Sequence, residues 1–233
     1  MHENLKLSRF TVIIGHYGSG KTNLSINLAL DLAATYDEVM LVDLDIVNPY
    51  FRSSDYTEML GQNGVRVISP TFAGTTLDAP SLSAEVGAAF DCAGAVVFDA
   101  GGDDVGATAL GRYAEEIKAI DHEMLYVINR YRNLTGSPAE AAALLGEIES
   151  ACHLRATGVV NNSHLKDETT LETVLDSLPF ARETAVLLGL PLRFTTVPAR
   201  LAGELSPEPG AATHVENAYP IEIHVRTPWE DVS

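Results

Sequence analysis

The chain is short of basic residues, of cysteine and of long apolar runs, and each shortage removes a class of function. Only 15 Lys and Arg stand against 32 Asp and Glu, a formal net charge of −17. Nonspecific nucleic-acid binding depends on clustered Lys and Arg, and no basic run occurs, so no nucleic-acid partner is expected. An anionic membrane surface would repel such a chain, and no apolar stretch reaches the ~18 residues of a membrane-spanning helix. The opening residues Met1-His2-Glu3-Asn4-Leu5-Lys6 do not read as a signal peptide, because the first apolar run is short and strand-like. Cys92 and Cys152 are the only cysteines and lie far apart. They offer no metal-cluster spacing and suit a reducing compartment, so a cytoplasmic location is expected. What is present is a hydrophobic content of 46% over 233 residues, enough for a large core.

Strand-like and helix-like patterns alternate along the chain. Strands are expected at Thr11–Ile14, Val39–Asp43, Val65–Ser69, Ala95–Phe98, Glu123–Ile128, Ala156–Val160, Arg193–Val197 and Ile221–Val225, and helices over 20–34, 81–90, 107–119, 137–151 and 169–188. Several strands are nearly all apolar, as parallel strands covered on both faces are. The rhythm predicts an α/β fold of three layers, a mostly parallel sheet with helices on both faces. Segments 70–80 and roughly 204–220 read as irregular. A single domain over 1–233 is expected, with 204–233 as a peripheral C-terminal segment.

One segment carries specific chemistry. Gly15-His16-Tyr17-Gly18-Ser19-Gly20-Lys21-Thr22 reads G-x-x-x-x-G-K-T, the phosphate-binding loop. Ordinary residue frequencies produce such a match in a chain this long on the order of once in a hundred. The apolar run Phe10–Ile14 before it and the helical spacing of Leu24, Leu28 and Leu32 after it supply the strand–loop–helix setting the motif needs. Glycines let backbone N–H groups approach phosphate oxygens, and a helix starting near Gly20 adds its positive dipole end. Lys21 is expected to meet the β- and γ-phosphates and Thr22 to offer its hydroxyl to Mg²⁺. The whole loop, with Ser19, is the expected nucleotide cradle.

Two acidic strand ends complete the pattern: Asp43-Leu44-Asp45, and Asp99-Ala100-Gly101-Gly102-Asp103. Asp99 closes an apolar strand as a Walker-B aspartate does and is a magnesium candidate. Gly101 and Gly102 leave the next backbone able to move toward a γ-phosphate. Guanine-reading tetrads of the Asn-Lys-x-Asp kind are missing, and neither Asn161 nor Asn162 has an acid three places on. Adenine needs only an amide that both donates and accepts, so ATP is favoured over GTP.

At these residues the chain resembles the deviant-Walker P-loop ATPases, the group that includes MinD, ParA, the Mrp-type scaffolds and the nitrogenase iron protein. The resemblance spans roughly residues 8–200. It implies that Asp45 positions the attacking water, that Asp43 lies near the magnesium shell, and that Asp99, Gly102 and Asp103 match a second switch. It also implies an adenine-binding asparagine at Asn162, with Asn161 the close second, and a further base or ribose contact at Val197-Pro198-Ala199-Arg200, and it implies a homodimer. The family's loop lysine is replaced here by His16, with Tyr17 where glycine is usual. The iron protein's cluster cysteines and MinD's basic C-terminal helix are absent.

Three functions follow. The first is a magnesium-dependent ATPase that switches a protein partner, with loops at 45–55 and 100–106 ordered by ATP. The second is an ATP-dependent small-molecule ligase or kinase of the dethiobiotin synthetase or cobyrinate amidase type, in which Arg52, Arg130 and Arg132 hold an acidic substrate. The third is a nucleotide-binding regulator that does not hydrolyse.

Overall fold

Every residue of the first strand, β1 (Phe10–Gly15), is buried, and successive side chains enter two different cores. Val12 and Ile14 join one, Ile13 the other. A strand buried on both faces requires a helical layer on each side, and the fold supplies both. The structure is a computed structural model and describes residues 7–45, 56–69, 84–102, 104–133 and 135–225. The remaining strands are β2 (Val39–Asp43), β3 (Val65–Ile68), β4 (Ala95–Asp99), β5 (Glu123–Ile128), β6 (Gly158–Asn161), β7 (Leu192–Pro198) and β8 (Ala218–Ile221). The helices are α1 (Lys21–Ala33), α2 (Thr57–Gln62), α3 (Ala84–Phe90), α4 (Asp104–Gly111), α5 (Ala114–Lys118), α6 (Pro138–Cys152) and α7 (Leu171–Leu188). Helices α1 and α2 cover the face carrying Ile13, Leu41 and Val97. The face carrying Val12, Val42 and Phe98 packs on α3 to α7 through Val86, Leu110, Ile117, Leu145 and Phe180.

The eight strands run in the order β3-β2-β4-β1-β5-β6-β7-β8, and all the described pairings are parallel. The expected α/β architecture with helices on both faces is therefore the one observed. Strand β1 lies between β4 and β5, so the chain turns one way for β2 to β4 and the other way for β5 to β8. Ligands of such sheets sit at the carboxyl ends of the strands where that reversal occurs. Register places Asp99 beside Ile13 on one side and beside Asp43 on the other.

Two local expectations differ from the fold, and one helix was not expected. The helix expected over 107–119 is two helices, α4 and α5. Gly111 ends the first, and a Cβ there would stand 3.0 Å from the Ala151 carbonyl oxygen, so α4 stops against α6. Helix α2 has only 6 residues, too short for an amphipathic period to register. The last strand is Ala218–Ile221 rather than Ile221–Val225. It pairs with β7, so the segment expected at the periphery contributes an edge strand. Segment 70–80 lies outside the described residues.

Residues Glu222–Val225 form a strap over α1. Asn23 and Asn27 donate side-chain N–H groups to the Glu222 carbonyl, each at 2.9 Å. Asn27 accepts from Glu222 N, and Asn23 accepts from His224 N and Val225 N. Two buried side-chain amides thus do for this strap what a neighbouring strand would otherwise do.

Candidate nucleotide site

The loop between β1 and α1 is built around positive-φ glycines. Gly20, at φ 87, is the N-cap of α1 and supplies no side-chain cap. Helices α6 and α7 instead open with complete capping boxes, Ser137 with Glu140 and Thr170 with Thr173. The first-turn N–H groups of α1 are therefore not capped by a side chain, and such groups attract an anion. A Cβ on Gly20 would collide with the Asn162 side-chain nitrogen. Lys21 is buried and folds back so that Nζ donates to the His16 carbonyl at 3.1 Å. Ser19 is buried, and its Oγ has no hydrogen-bond partner among the described residues. Tyr17, 55% exposed, stands at the mouth of the loop, and the His16 ring donates from Nδ1 to the Tyr17 carbonyl at 2.8 Å.

The acidic strand ends meet this loop. Asp43 and Asp99 are both buried at the carboxyl ends of adjacent strands. Leu44 N donates to the Asp99 carbonyl at 2.8 Å, and Asp45 N donates to Asp43 Oδ1 at 3.0 Å. The glycines after β4 close the approach. A Cβ on Gly102 would stand 2.5 Å from Tyr17 N and 2.7 Å from Lys21 Nζ, so only glycine lets that backbone lie against the phosphate loop. The Asp45 carboxylate reaches toward Gly101. Asp103 and Arg52 lie outside the described residues.

A cleft of about 420 Å³ opens over the loop, within the ordinary range for small-molecule sites. Gly18, Gly20, Lys21 and Thr22 form its floor, and Asp45 one wall. The opposite wall comes from the loops after β5 and β6: Asn129, Arg132, His164, Leu165 and Glu168. Ile223 and Val225 of the strap close it from the α1 side. Among the described residues, no group of three or more His, Cys, Asp or Glu has a metal-holding arrangement. A magnesium ion does not need one, because it commonly takes one or two carboxylates, phosphate oxygens and water. The Thr22 hydroxyl in the cleft and the paired Asp43 and Asp99 carboxylates fit that donor set.

Neither expected base-reading asparagine faces the cleft. Asn161 is wholly buried, and its Nδ2 donates to Ser177 Oγ at 2.9 Å. Asn162 is also buried. Its Nδ2 donates to the Ser19 carbonyl at 2.7 Å, and its Oδ1 accepts from Thr196 Oγ1 at 2.6 Å. Asn162 therefore braces the phosphate loop against β6 and β7. Pro198 ends β7, buried, and is not among the cleft-lining residues.

The sequence did not single out His164. It is buried, its Nδ1 accepts from Lys166 N at 3.2 Å, and its Nε2 has no hydrogen-bond partner among the described residues. The bond to Nδ1 places the proton on Nε2. Burial, then the charges of Arg132 and Lys166, push its pKa down to about 4. It is a neutral ring presenting an unanswered donor in the wall of the cleft. The only available signal was its place two residues beyond Asn162.

No protein-family model matches the chain, and no curated protein matches it. Solved structures do. The cell-division protein FtsY of Thermotoga maritima is 20% identical, with 84% of this chain and 66% of that chain covered at a TM-score of 0.54. FtsY of Mycoplasma mycoides is 17% identical, with 84% and 61% covered at 0.53. The signal recognition particle 54 kDa protein of Aeropyrum pernix, solved in complex with GDP, is 16% identical, with 82% and 41% covered at 0.52. The chain thus spans less than two thirds of these proteins' length. At such identities the likeness is one of fold and does not place the chain in the MinD and ParA branch. The chain has the fold of a P-loop NTPase.

Proposed function

We propose that this chain binds a magnesium–nucleoside triphosphate in the cleft, hydrolyses it, and uses the strand ends at Asp45 and Gly101–Gly102 to report the nucleotide state to a protein partner. The observation that supports this best is the phosphate loop itself. It has an uncapped α1 N-terminus, a buried lysine folded onto the loop, and a glycine backbone lying directly against both. Mg²⁺ held by Thr22, with Asp99 and Asp43 behind it, would neutralise charge on the β- and γ-phosphates. Lys21 would leave the His16 carbonyl for those phosphates. Asp45 would orient the attacking water, whose oxygen bonds to the γ-phosphorus as the bond to the β–γ bridging oxygen breaks. Loss of the γ-phosphate would release Gly102 and with it the partner surface. The MinD- and ParA-like placement, the homodimer and the single-domain extent over 1–233 belong to this proposal.

Adenine is the proposed base. Asn162 occupies the position of a loop-bracing asparagine, and three residues on stands Leu165 rather than a carboxylate. A guanine reading has one observation in its favour, Glu168 in the cleft wall, besides the GDP bound to a protein of similar fold. Titration calorimetry with Mg-ATPγS and Mg-GTPγS on wild type and Lys21→Ala tests the reading. Wild type should bind ATPγS more tightly, and Lys21→Ala should lose most triphosphate affinity. Undiminished binding by Lys21→Ala would refute the loop assignment.

A further inference from the structure

We propose that Arg132 is a phosphate-contacting residue, a guanidinium supplied in cis from the loop after β5 that covers the terminal phosphates where the resembled ATPases use a loop lysine. The inference rests on the nucleotide reading above.

Arg132 lies against the phosphate loop. A Cβ on Gly18 would stand 3.5 Å from Arg132 Nε and 3.8 Å from Cζ, so the guanidinium sits over the middle of the loop. It lines the same cleft as Lys21, Thr22 and Asp45. Among the described residues no ion pair or side-chain hydrogen bond holds it, although the chain carries 32 acidic residues and two carboxylates, Asp45 and Glu168, line that cleft. Its charge is nonetheless felt there, as the second cause of the depressed His164 pKa. The position that would carry a loop lysine is His16, whose Nδ1 is engaged by the Tyr17 carbonyl.

The backbone beneath Arg132 is fixed. Arg132 N and Thr135 Oγ1 both donate to the Asn129 carbonyl, at 3.3 and 3.0 Å. Asn129 Oδ1 accepts from Tyr131 N, and Arg130 N donates to Ser163 Oγ at 2.9 Å. The neighbouring Arg130 is turned away, its guanidinium on the Asp176 carbonyl. One arginine of the pair is therefore tied to α7, and the other is held over the loop by bonds that do not involve its own side chain. A planar fork of donors in that place suits the β–γ region of a triphosphate, where an arginine provided in cis stabilises charge as the γ-phosphate leaves.

The test measures affinity for ATPγS, ADP and AMP, and steady-state phosphate release, in wild type, Arg132→Gln and Arg132→Lys. The guanine series replaces the adenine one if wild type prefers GTP. Because the loop is held by backbone and Asn129 contacts, both variants should keep the wild-type melting temperature without nucleotide. Arg132→Gln should bind ATPγS about 10-fold or more weakly, leave AMP affinity within twofold, and lose about 100-fold or more in kcat. Arg132→Lys should recover part of the binding and little of the rate. The proposal is overturned if Arg132→Gln binds ATPγS and turns over like wild type while Lys21→Ala has lost binding. Equal weakening of AMP, ADP and ATPγS would also overturn it, because a contact to terminal phosphates cannot weaken a ligand that lacks them. If Lys21→Ala itself binds normally, the nucleotide reading falls first.

Discussion

Replacing His164 with Asn should flatten the acid limb of the protein's stability profile. In the folded chain the ring titrates at about 4 against an ordinary 6.5, because burial and the charges of Arg132 and Lys166 oppose a second proton. Between those values the unfolded chain binds more protons than the folded one, so stability rises with pH there. The contribution is whole above the unfolded value and is lost as pH falls toward 4. Linkage gives a loss of about 1 kcal/mol at pH 5.5 and about 2 kcal/mol at pH 4.5 relative to neutrality. Asn is the informative replacement because its Oδ1 can still accept from Lys166 N, as Nδ1 does at 3.2 Å. Urea unfolding of both proteins at pH 7.5, 5.5 and 4.5 isolates the effect, since carboxylates common to both cancel in the difference. The variant should lose about 2 kcal/mol less than wild type between the end points. Parallel profiles would mean that His164 is not a buried neutral ring, and the donor assigned to the cleft wall would go with it.

Other substitutions probe the remaining parts of the site. Asn162→Ala leaves the Ser19 carbonyl and the Thr196 hydroxyl without their buried partner, and should cost about 3 kcal/mol, a fall in Tm of roughly 6–12 °C for a chain of this size; an unchanged Tm would remove Asn162 as the brace. Asp45→Ala should leave ATPγS affinity within a few-fold of wild type and abolish phosphate release, and turnover that survives would pass the water-positioning role to Asp43 or Asp103. Leu165→Asp places a carboxylate three residues beyond Asn162, in the cleft, and should raise the GTP-to-ATP affinity ratio about 10-fold or more; an unmoved ratio in calorimetry would show that the base does not reach that loop.

How much of this was legible depended on whether the signal was local. Strands β2 and β5 have the boundaries expected from their apolar runs, because a strand buried on both faces announces itself residue by residue. The strand–loop–helix around the G-x-x-x-x-G-K-T motif was legible for the same reason: its glycines, Lys21 and Thr22 are contiguous, and their neighbours set the secondary structure. The alternating Ile221-Glu222-Ile223-His224-Val225 misled because period 2 describes any extended chain. Its last residues are a strap whose partners, Asn23 and Asn27, lie some 195 residues earlier. Long range also hid the work of Asn162, whose bond to Ser19 joins positions 143 residues apart. An asparagine in a sequence is a donor and an acceptor; which group receives them is decided by the fold. Arg132 could be named beforehand only as one of three arginines for an acidic substrate, since its place over the loop comes from lying on Gly18.

The bonding around the cleft divides it into two halves of different construction. On the β5 and β6 side the loops are tied to each other by Asn129 Nδ2 to the His164 carbonyl and by Arg130 N to Ser163 Oγ, and tied to the phosphate loop through Asn162. That half carries Arg132, His164 and Leu165 as one braced unit, so it can hold a ligand in place without rearranging. On the β2 and β4 side, Asp43, Asp45 and Asp99 are joined across their strand ends, but the chain then leaves through Gly101 and Gly102 and meets Gly106 of α4 at a glycine-to-glycine contact. A side chain at any of the three would clash with its neighbour, so the packing is tight while the backbone itself carries little torsional restriction. The proposed nucleotide switch would draw on this asymmetry: a fixed wall against which phosphates would register, and a facing segment whose position a γ-phosphate would decide.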